Sequence, residues 1–264
     1  MGRASSRVRK VKADVKPAPR NRFALIEEDA VEAEYVTPVA PKFVPANNNQ
    51  KIALGMMREG RSVIFLAGSA GVGKSMLAAY YAAEQLRLKK VEKVYLIRPA
   101  VAVGKSIGLL PGEISDKLRP YFAQTLAHLE KFMGKGFLKY CLEKQVVEMK
   151  PSEFLRGMSF ERCICIAEES QNYTKDEFEC VLTRLGEGAC LILTGDEKQH
   201  DLRGASGLHQ TLEMLERIVE EQPHYLLDED LDEMDSKIGV VRFTPDDVVR
   251  SGLTRAFVKM YYNN

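Results

Sequence analysis

The chain has 264 residues, a formal net charge of +1, 45% hydrophobic residues and 28% charged residues, which are ordinary values for a globular protein. Its five cysteines are odd in number and lack CxxC spacing, so they predict buried core thiols of a reduced compartment rather than a disulfide framework. No long uninterrupted apolar segment occurs and the N-terminus lacks the apolar core of a signal peptide, so we expect a cytoplasmic protein without a membrane partner.

The first 48 residues differ in composition from the rest of the chain. Residues 1–22 carry eight Lys and Arg against the single acid Asp14, without apolar periodicity, which predicts a disordered basic tail. Such a tail either solubilises the end of the chain or attracts a phosphate backbone, and the residues leave both options open. Residues 23–48, acidic and then proline-rich, are predicted to form a linker or surface arm before a single domain at 49–264.

The domain alternates short apolar runs with helix-compatible stretches, which predicts an α/β fold: a mostly parallel sheet covered by helices on both faces. Predicted strands lie at 63–67, 94–97, 146–149, 163–167, 190–194 and 240–243. Predicted helices lie at 75–90, 116–145, 175–185 and 209–221, with a new helix starting at Pro120 and a helix stop at Gly186. The acidic run from Glu220 to Asp235 is predicted to be an exposed loop, and Thr244-Pro245-Asp246-Asp247 resembles a helix N-cap.

The first strand leads into a glycine-rich loop that matches the P-loop pattern of glycine, four residues and then Gly-Lys-Ser. The loop consists of Gly68, Ser69, Ala70, Gly71, Val72, Gly73, Lys74 and Ser75. Its glycines let successive backbone N–H groups point at phosphate oxygens, and the following helix adds its positive N-terminal end. Lys74 would reach the β- and γ-phosphates, and the Ser75 hydroxyl would ligate Mg²⁺. Strand, loop and helix together predict a nucleoside triphosphate site rather than a chance glycine-rich turn.

Polar side chains follow two further predicted strands. Glu168 and Glu169 follow the strand at 163–167, where one carboxylate can orient Mg²⁺ through its water shell and the other can polarise the attacking water. Gln199 follows the strand at 190–194 and can sense the γ-phosphate through its amide. Because carboxyl ends of parallel strands form the ligand-binding edge of such sheets, we expect both groups to face the P-loop, although solvated turns give similar patterns.

These motifs together resemble the PhoH-like ATPases, single-core relatives of superfamily 1 helicases, over residues 49–262. Asn49-Gln50-Lys51 is similar to the family's adenine-side glutamine motif, and the stretch from Ile97 to Gly112 is similar to its segment after the second strand. The stretches Glu168 to Asn172, Thr194 to Gln199 and Asp247 to Arg250 resemble its remaining motifs. The resemblance implies a three-layer RecA-like P-loop core, hydrolysis of ATP with Mg²⁺, an adenine-side role for Gln50, a hexameric ring, and action on RNA or single-stranded nucleic acid.

Glu168 departs from the family pattern, which has aspartate at this position. The longer side chain moves the carboxylate by about one methylene, and positioning errors of about 1 Å can lower a rate roughly a hundredfold. We therefore expect slow hydrolysis with nucleotide binding retained. An unchanged turnover in the Glu168→Asp variant would contradict this expectation.

Arg250 is the predicted source of a charge-neutralising guanidinium. Superfamily 1 motors close two cores over one nucleotide, but this chain is long enough for only one, so a neighbouring copy is expected to supply the arginine. Arg250 is favoured over Arg184 and Arg255, although an ordinary surface arginine would fit the same position. This expectation, like the resemblance, favours a homo-oligomer.

Arg98 and Pro99 leave the second strand at the ligand edge and are predicted to contact nucleic acid. The helical region after them mixes basic and aromatic residues, namely Lys105, Lys117, Arg119, Tyr121, Phe122, Lys131, Phe132, Lys135, Phe137, Lys139, Tyr140 and Lys144. Such residues either bind a single strand through phosphate contacts and base stacking, or form a helix core with a solvated lysine face. The sequence leaves both interpretations open.

Three functions fit these motifs. The leading hypothesis is an ATPase coupled to remodelling of RNA or single-stranded nucleic acid. A small-molecule kinase would use the same P-loop, but the helicase-like third motif and Arg250 argue against it. A nucleotide-stabilised oligomeric scaffold with weak or no catalysis is the non-enzymatic alternative, and phosphate release above that of Lys74→Ala would exclude it.

Overall fold

The computed structural model describes residues 41–99, 117–199, 201–202, 204–221 and 226–262 of the chain. The predicted basic tail at 1–22, most of the predicted arm at 23–48, Lys105 and the family-like stretch from Ala100 to Gly112 lie outside the described residues, so the interpretations of these parts stay predictions. Within the described ranges, every helix is too short or too polar to cross a membrane.

Six strands and eight α-helices form the described part of the chain. The strands are β1 (Val63–Gly68), β2 (Lys93–Arg98), β3 (Val147–Pro151), β4 (Cys163–Ala167), β5 (Cys190–Gly195) and β6 (Ile238–Phe243). The helices are α1 (Asn48–Arg58), α2 (Lys74–Arg87), α3 (Ala123–Met133), α4 (Lys135–Glu143), α5 (Lys175–Leu182), α6 (Gly207–Glu221), α7 (Asp228–Lys237) and α8 (Gly252–Tyr262). Short 3-10 helices lie at Arg119–Phe122, Ser152–Leu155, Ser170–Asn172 and Pro245–Asp247. All six predicted strands are confirmed, with ends that differ by at most two residues.

The strands form one sheet in the order β3-β2-β4-β5-β1-β6, and every neighbouring pair is parallel. At the start of β1, Val63 pairs with Leu191 on one side and Ile238 on the other. Strands β1, β4 and β5 are buried along their whole length, and their sequences are near-continuous apolar runs because both faces are covered. This order places the end of β5 between the ends of β1 and β4, so the loops after these three strands meet at one edge.

Helices cover both faces of the sheet, which confirms the predicted three-layer, RecA-like α/β fold. On one face, Phe65, Cys165 and Leu193 of the strands pack in a buried cluster with Phe178 of α5 and Leu212 of α6. On the other face, α2 contacts β2, β4 and β5, and α3 packs along α2. The five cysteines are free thiols and all but Cys180 are buried, as their sequence contexts predicted.

The described part of the predicted arm, residues 41–48, contacts the helices through Phe43 and leads into α1. The Phe43 ring is buried, 5.2 Å from the ring of Tyr80 in α2 and 6.4 Å from that of Phe132 in α3. Asn47 caps α1, because its side-chain oxygen accepts a hydrogen bond from the backbone N–H of Gln50 at 2.8 Å. The sequence interpretation did not predict α1.

Within residues 117–145, which the structure describes, the predicted helix at 116–145 is divided into shorter elements, including a 3-10 helix, α3 and α4. Pro120 occupies the first turn of a 3-10 helix, and Gly134, with a φ of +83°, separates α3 from α4. The predicted stop at Gly186 also differs from the structure, since α5 already ends at Leu182.

The C-terminal part of the chain is more helical than predicted. The acidic run predicted as a loop overlaps the end of α6 and most of α7, whose first turn carries three acids that the positive end of the helix dipole stabilises. Thr244 caps a three-residue 3-10 turn rather than a long helix, and the α-helix begins only at Gly252.

Candidate nucleotide site

A cleft of about 360 Å³ opens where β1, β4 and β5 end. It is lined by Ala70, Gly71, Gly73, Lys74, Ser75, Met76, Gln124, His128, Glu168, Glu169, Gln171, Thr194, Gly195, Asp196, Gln199, Val249 and Arg250. The structure therefore brings together most of the predicted P-loop with both acids, Gln199 and Arg250. The predicted site residues that do not line the cleft are Gln50, Gly68, Ser69, Val72, Arg98 and Pro99.

The loop after β1 turns tightly at its first glycine. Gly68 has a φ of +137°, and a Cβ there would lie 2.3 Å from the backbone oxygen of Phe243, so β1 and β6 come this close only without a side chain. The loop ends at Gly73, the N-cap of α2. The first residues of α2, Lys74 and Ser75, line the cleft, which places the positive end of the helix dipole at the cavity.

Lys74 folds back over the loop that precedes it. Its Nζ donates to the carbonyl oxygens of Gly68 at 2.6 Å and Ser69 at 2.8 Å. Burial lowers the pKa of the Lys74 ammonium to about 8, although the carboxylates of Asp196 and Glu169 oppose this shift. An anionic ligand in the cleft would raise the pKa again and so stabilise the charged form.

Two buried polar atoms at this edge lack a hydrogen-bond partner within the described part of the chain. They are Ser69 Oγ in the loop and Asp196 Oδ2 after β5. Because buried polar atoms are normally paired, the Asp196 carboxylate oxygen, which belongs to a cleft residue, indicates a place for a donor or a cation, while the loop and Lys74 fit a triphosphate. No three His, Cys, Asp or Glu side chains of the described residues converge as a metal site. Ser75 and the nearby acids line the cleft and fit an Mg²⁺ that phosphate oxygens help to hold.

Glu168, directly after β4, is held on both carboxylate oxygens. Arg98 Nε donates to its Oε2 at 3.1 Å, and the Thr125 hydroxyl of α3 donates to its Oε1 in a short hydrogen bond. Glu168 is 2% exposed and Thr125 is fully buried. Since a carboxylate is stable in such surroundings only with charged or donating partners, these two residues determine where it lies.

Glu169 adopts a left-handed backbone conformation, with a φ of 52° and a ψ of 41°. Such strain is uncommon outside glycine and is concentrated at functional sites. The Gln171 amide Nε2 donates to Glu169 Oε2 at 2.7 Å, and Gln171 Oε1 accepts from the Asp196 backbone N–H at 3.1 Å. One side chain therefore links the acids after β4 to the end of β5.

The turn after β5 holds the predicted γ-phosphate sensor. Asp196 is buried, and its Oδ1 accepts from the backbone N–H of Lys198 at 3.1 Å. The backbone N–H of Gln199 donates to the Asp196 carbonyl oxygen, also at 3.1 Å, which closes the turn. Gln199 lines the cleft with the P-loop. Its sensing role stays a prediction.

Gln50 lies behind the P-loop rather than in the cleft. It is 1% exposed; its Nε2 donates to Val72 O at 2.8 Å and its Oε1 accepts from the backbone N–H of Ala46 at 2.8 Å. A Cβ at Gly73 would lie 2.8 Å from this amide nitrogen. Gln50 therefore supports the loop from behind, and the predicted adenine contact, which stays a prediction, would require its amide to move.

Arg250 lines the cleft of its own chain. The backbone N–H of Val249 donates to Gly71 O at 3.1 Å, and a Cβ at Gly71 would lie 3.3 Å from Arg250 Cδ. The predicted role of Arg250 in the site of a neighbouring copy stays a prediction, and within its own chain the residue lies in cis, at the P-loop. The reason is the position of β6 beside β1, which returns the following segment across the P-loop.

Arg98 and Pro99 are directed away from solvent. Pro99 is buried, and the Arg98 side chain is 16% exposed. The Arg98 guanidinium pairs with Glu168 and lies 5.8 Å from the centre of the Phe122 ring. A direct nucleic-acid contact by Arg98 would require this ion pair to break, and the contact stays a prediction.

The aromatic residues after β2 divide between the two interpretations. Phe122 and Phe132 are buried core residues, as the helical spacing allowed. Phe137 and Tyr140 of α4 are only partly buried, and their rings stack at 6.4 Å. A surface with exposed aromatic area is therefore confined, in the described part of this region, to α4 and Tyr121.

Two cleft residues, Gln124 and His128, were not predicted from the sequence. They lie four residues apart on one face of α3. Burial lowers the pKa of His128, and Lys131 adds to this shift while Glu168 opposes it. The helical spacing alone could not reveal them, because only the packing of α3 on α2 brings this face to the P-loop.

Comparisons with known proteins agree on one family. A family model described as PhoH-like protein matches residues 42–262. Protein PhoH of Escherichia coli (strain K12) is 37% identical over 207 residues, which cover 77% of this chain and 54% of that protein. A PhoH-like protein of Mycobacterium tuberculosis (strain ATCC 25618 / H37Rv) is 32% identical over 219 residues, which cover 82% of this chain and 57% of that protein. The chain thus spans about half the length of the curated relatives it matches.

Solved structures show weaker similarity. The Sulfolobus solfataricus SWI2/SNF2 ATPase core in complex with dsDNA is 17% identical with a TM-score of 0.42, covering 77% of this chain and 46% of that chain. The Pif1 helicase from Candida albicans is 13% identical with a TM-score of 0.38, covering 84% and 44%. These values are too low to support an inference about function. The family match over most of the chain, by contrast, shows that this chain belongs to the PhoH-like protein family.

Proposed function

We propose that the chain binds ATP with Mg²⁺ in this cleft and hydrolyses it slowly. One observation carries the proposal: a single cavity is lined by Lys74 and Ser75 of the P-loop, by Glu168 and Glu169 after β4, and by Gln199 after β5. Cation, hydroxyl, carboxylates and amide are the groups that phosphoryl transfer to water requires.

Each group has a proposed role in the reaction. Lys74 binds the β- and γ-phosphates, Glu169 polarises the attacking water, and Gln199 contacts the γ-phosphate. Arg250 neutralises charge that develops on the transferring group, acting from the same chain because it packs against Gly71.

Ser75 and Glu168 are the proposed magnesium-side residues. When bound, Mg²⁺ neutralises charge on the β- and γ-phosphate oxygens. Ser75 supplies a hydroxyl ligand at the start of α2, and the Glu168 carboxylate orients the water shell from the end of β4. The glutamate in place of the family's aspartate supports slow turnover, since the position of this carboxylate then depends on a longer side chain.

Coupling to RNA or single-stranded nucleic acid is the finer proposal. Family membership supports it, and α4 offers a matching surface, where Lys135 and Lys139 are exposed beside the stacked Phe137 and Tyr140. Basic residues with partly exposed aromatic rings can bind a strand through phosphates and stacking. ATPase rates with and without single-stranded RNA, at several salt concentrations, test this coupling. An ATPase rate that single-stranded RNA does not change, together with no RNA binding at low salt, would contradict it.

Assembly into a homo-oligomer, as a hexameric ring, is proposed from the family resemblance. Arg250 lines the cleft of its own chain, so the ring is proposed separately from the role of Arg250. A cytoplasmic location is proposed because all five cysteines are free thiols. Light scattering with and without nucleotide measures the mass of the assembly.

A nucleotide-stabilised scaffold is the alternative function. The ion pair between Arg98 and the buried Glu168 favours the scaffold, because this acid is already engaged by protein groups. Steady-state phosphate release by the wild type, compared with Lys74→Ala, separates the two functions. Release above the control supports the ATPase; ATP binding without release above the control supports the scaffold.

A further inference from the structure

Glu168 is held from two directions by elements that are far apart in the chain. Arg98, at the end of β2, donates to Oε2 at 3.1 Å, and Thr125 of α3 donates to Oε1. The Glu168 backbone N–H also donates to Ile97 O at 2.8 Å, so strand β2 fixes both the main chain and the side chain. The carboxylate is therefore restricted by β2 on one side and α3 on the other.

Arg98 is itself anchored and reaches both acids. Its guanidinium lies 5.8 Å from the centre of the Phe122 ring, and Phe122 is fully buried. In addition to the closer contact between its Nε and Glu168, its Nη2 lies 3.9 Å from Glu169 Oε1. Because Arg98 does not line the cleft, it reaches the nucleotide site through these carboxylates.

A glutamate at this position needs such partners more than an aspartate would. Glutamate has one more rotatable bond, so a defined carboxylate position costs more side-chain entropy. The Glu168 side chain is 3% exposed, and a buried carboxylate without a cation is strongly destabilising. Partners on two separate elements restrict the additional freedom and neutralise the charge.

We propose that Arg98 is a positioning residue that, together with Thr125, sets the Glu168 carboxylate for the water shell of the nucleotide's Mg²⁺. The inference rests on the proposed ATP–Mg²⁺ function. It assigns Arg98 no contact with phosphate, in contrast to Lys74 and Arg250. If Arg98 instead competed with the metal for Glu168, its removal would strengthen the effect of Mg²⁺ rather than weaken it.

The test measures how much Mg²⁺ is needed to enhance nucleotide binding, with a fluorescent methylanthraniloyl-ATP titrated with Mg²⁺. Arg98→Ala is expected to raise the Mg²⁺ midpoint roughly tenfold, as loss of a residue that orients a metal-side ligand typically does. The Mg²⁺ midpoint of Arg98→Lys should lie between those of the wild type and Arg98→Ala, because lysine keeps the charge but lacks the fixed Nε. Arg162→Ala is the matched control, since Arg162 directly precedes β4, the strand that leads to Glu168, and its side chain is 66% exposed. In EDTA, without Mg²⁺, the affinity for methylanthraniloyl-ATP should be the same in the wild type and in all three variants.

A double-mutant cycle tests whether Arg98 acts through Glu168. In a Glu168→Gln background, Arg98→Ala should change the Mg²⁺ midpoint by less than about twofold, since the group it positions is already altered. Full additivity of the two substitutions would overturn the proposal. So would a lower Mg²⁺ midpoint in Arg98→Ala, or a midpoint equal to that of the wild type.

Melting temperatures are measured first, because Arg98→Ala leaves Glu168 without its cation and can unfold the chain. In that case Arg98→Lys and the double variant Arg98→Ala/Glu168→Gln, which contains no unpaired buried charge, carry the comparison. Failure of the proposed function has a different signature. The wild type would then bind no methylanthraniloyl-ATP at any Mg²⁺ concentration.

Discussion

The Gln171 amide donates to Glu169 Oε2 at 2.7 Å and thereby fixes the second acid after β4 against the end of β5. The opposite atom of the same amide accepts from the Asp196 backbone N–H at 3.1 Å. Sheet order makes this link possible, because β5 lies between β4 and the P-loop strand. Gln171 therefore holds the proposed water-polarising carboxylate in line with the loop that carries Gln199.

Replacing Gln171 by alanine is expected to lower turnover by roughly 10- to 100-fold, because a carboxylate that is misplaced by about 1 Å loses that much in rate. ATP affinity should change little, since the P-loop is intact. Steady-state phosphate release gives kcat and KM separately. Asn172→Ala is the control, because this neighbouring buried amide bonds to Asp201 instead of Glu169. A change in KM alone would contradict the positioning role.

ATP binding is expected to weaken as pH rises above about 8. Burial lowers the pKa of Lys74 from 10.5 to about 8 in the free protein, and bound phosphate would raise it. Below pH 8 Lys74 is already charged and affinity is flat; above it, binding must take up a proton, so affinity falls. Asp196 and Glu169 are the carboxylates that act on this ammonium.

Calorimetry in buffers of different ionisation enthalpy measures this proton uptake directly. Titrations at pH 7, 8 and 9 should show uptake that increases with pH. Lys74→Arg keeps its charge across this range, so any ATP affinity that it retains should be independent of pH. Proton release, or equal pH dependence in both proteins, would contradict the assignment.

Gly68→Ala is expected to destabilise the fold, apart from any effect on phosphate binding. The new Cβ would meet the Phe243 backbone oxygen at 2.3 Å, at a φ of +137°. Backbone strain of about 1 kcal/mol and a clash of about 1–3 kcal/mol together predict a loss of about 2–4 kcal/mol in the free energy of unfolding. Urea unfolding measures it.

Gly157→Ala separates the two causes. Gly157 also has a positive φ, +80°, but a Cβ there would meet no atom within 4 Å. Gly157→Ala should lower the free energy of unfolding by about 1 kcal/mol, which is the contribution of backbone strain alone. Equal losses in both variants would mean that the approach of β6 to β1 does not depend on Gly68.

Arg250→Ala is expected to lower turnover by about 10³-fold or more, as loss of a charge-neutralising arginine does. Because Arg250 packs against Gly71 of its own chain, Arg250→Ala mixed with Lys74→Ala should show only the sum of the separate activities. The measurement is phosphate release by pre-incubated mixtures in several ratios. Recovery of activity on mixing would instead place Arg250 in the site of a neighbour.

Local pattern was sufficient for the strands and for most of the site. The runs Val63–Gly68, Cys163–Ala167 and Cys190–Gly195 are apolar because they are buried on both faces, and such runs are readable without a structure. Their polar ends had to meet, since parallel strands share one carboxyl edge. Helix α7 was missed because its acids were interpreted as solvated loop rather than as a favourable first turn.

The fold class and the P-loop motif were predictable without a structure, because glycine spacing, apolar runs and strand-end acids are local properties of the chain. The partners of those groups follow only from the folded chain: Arg98 and Thr125 for Glu168, Gln171 for Glu169, and the cleft of its own chain for Arg250. These contacts join residues from different strands and helices. They depend on strand order and on the packing of α3 against α2, which no local pattern encodes.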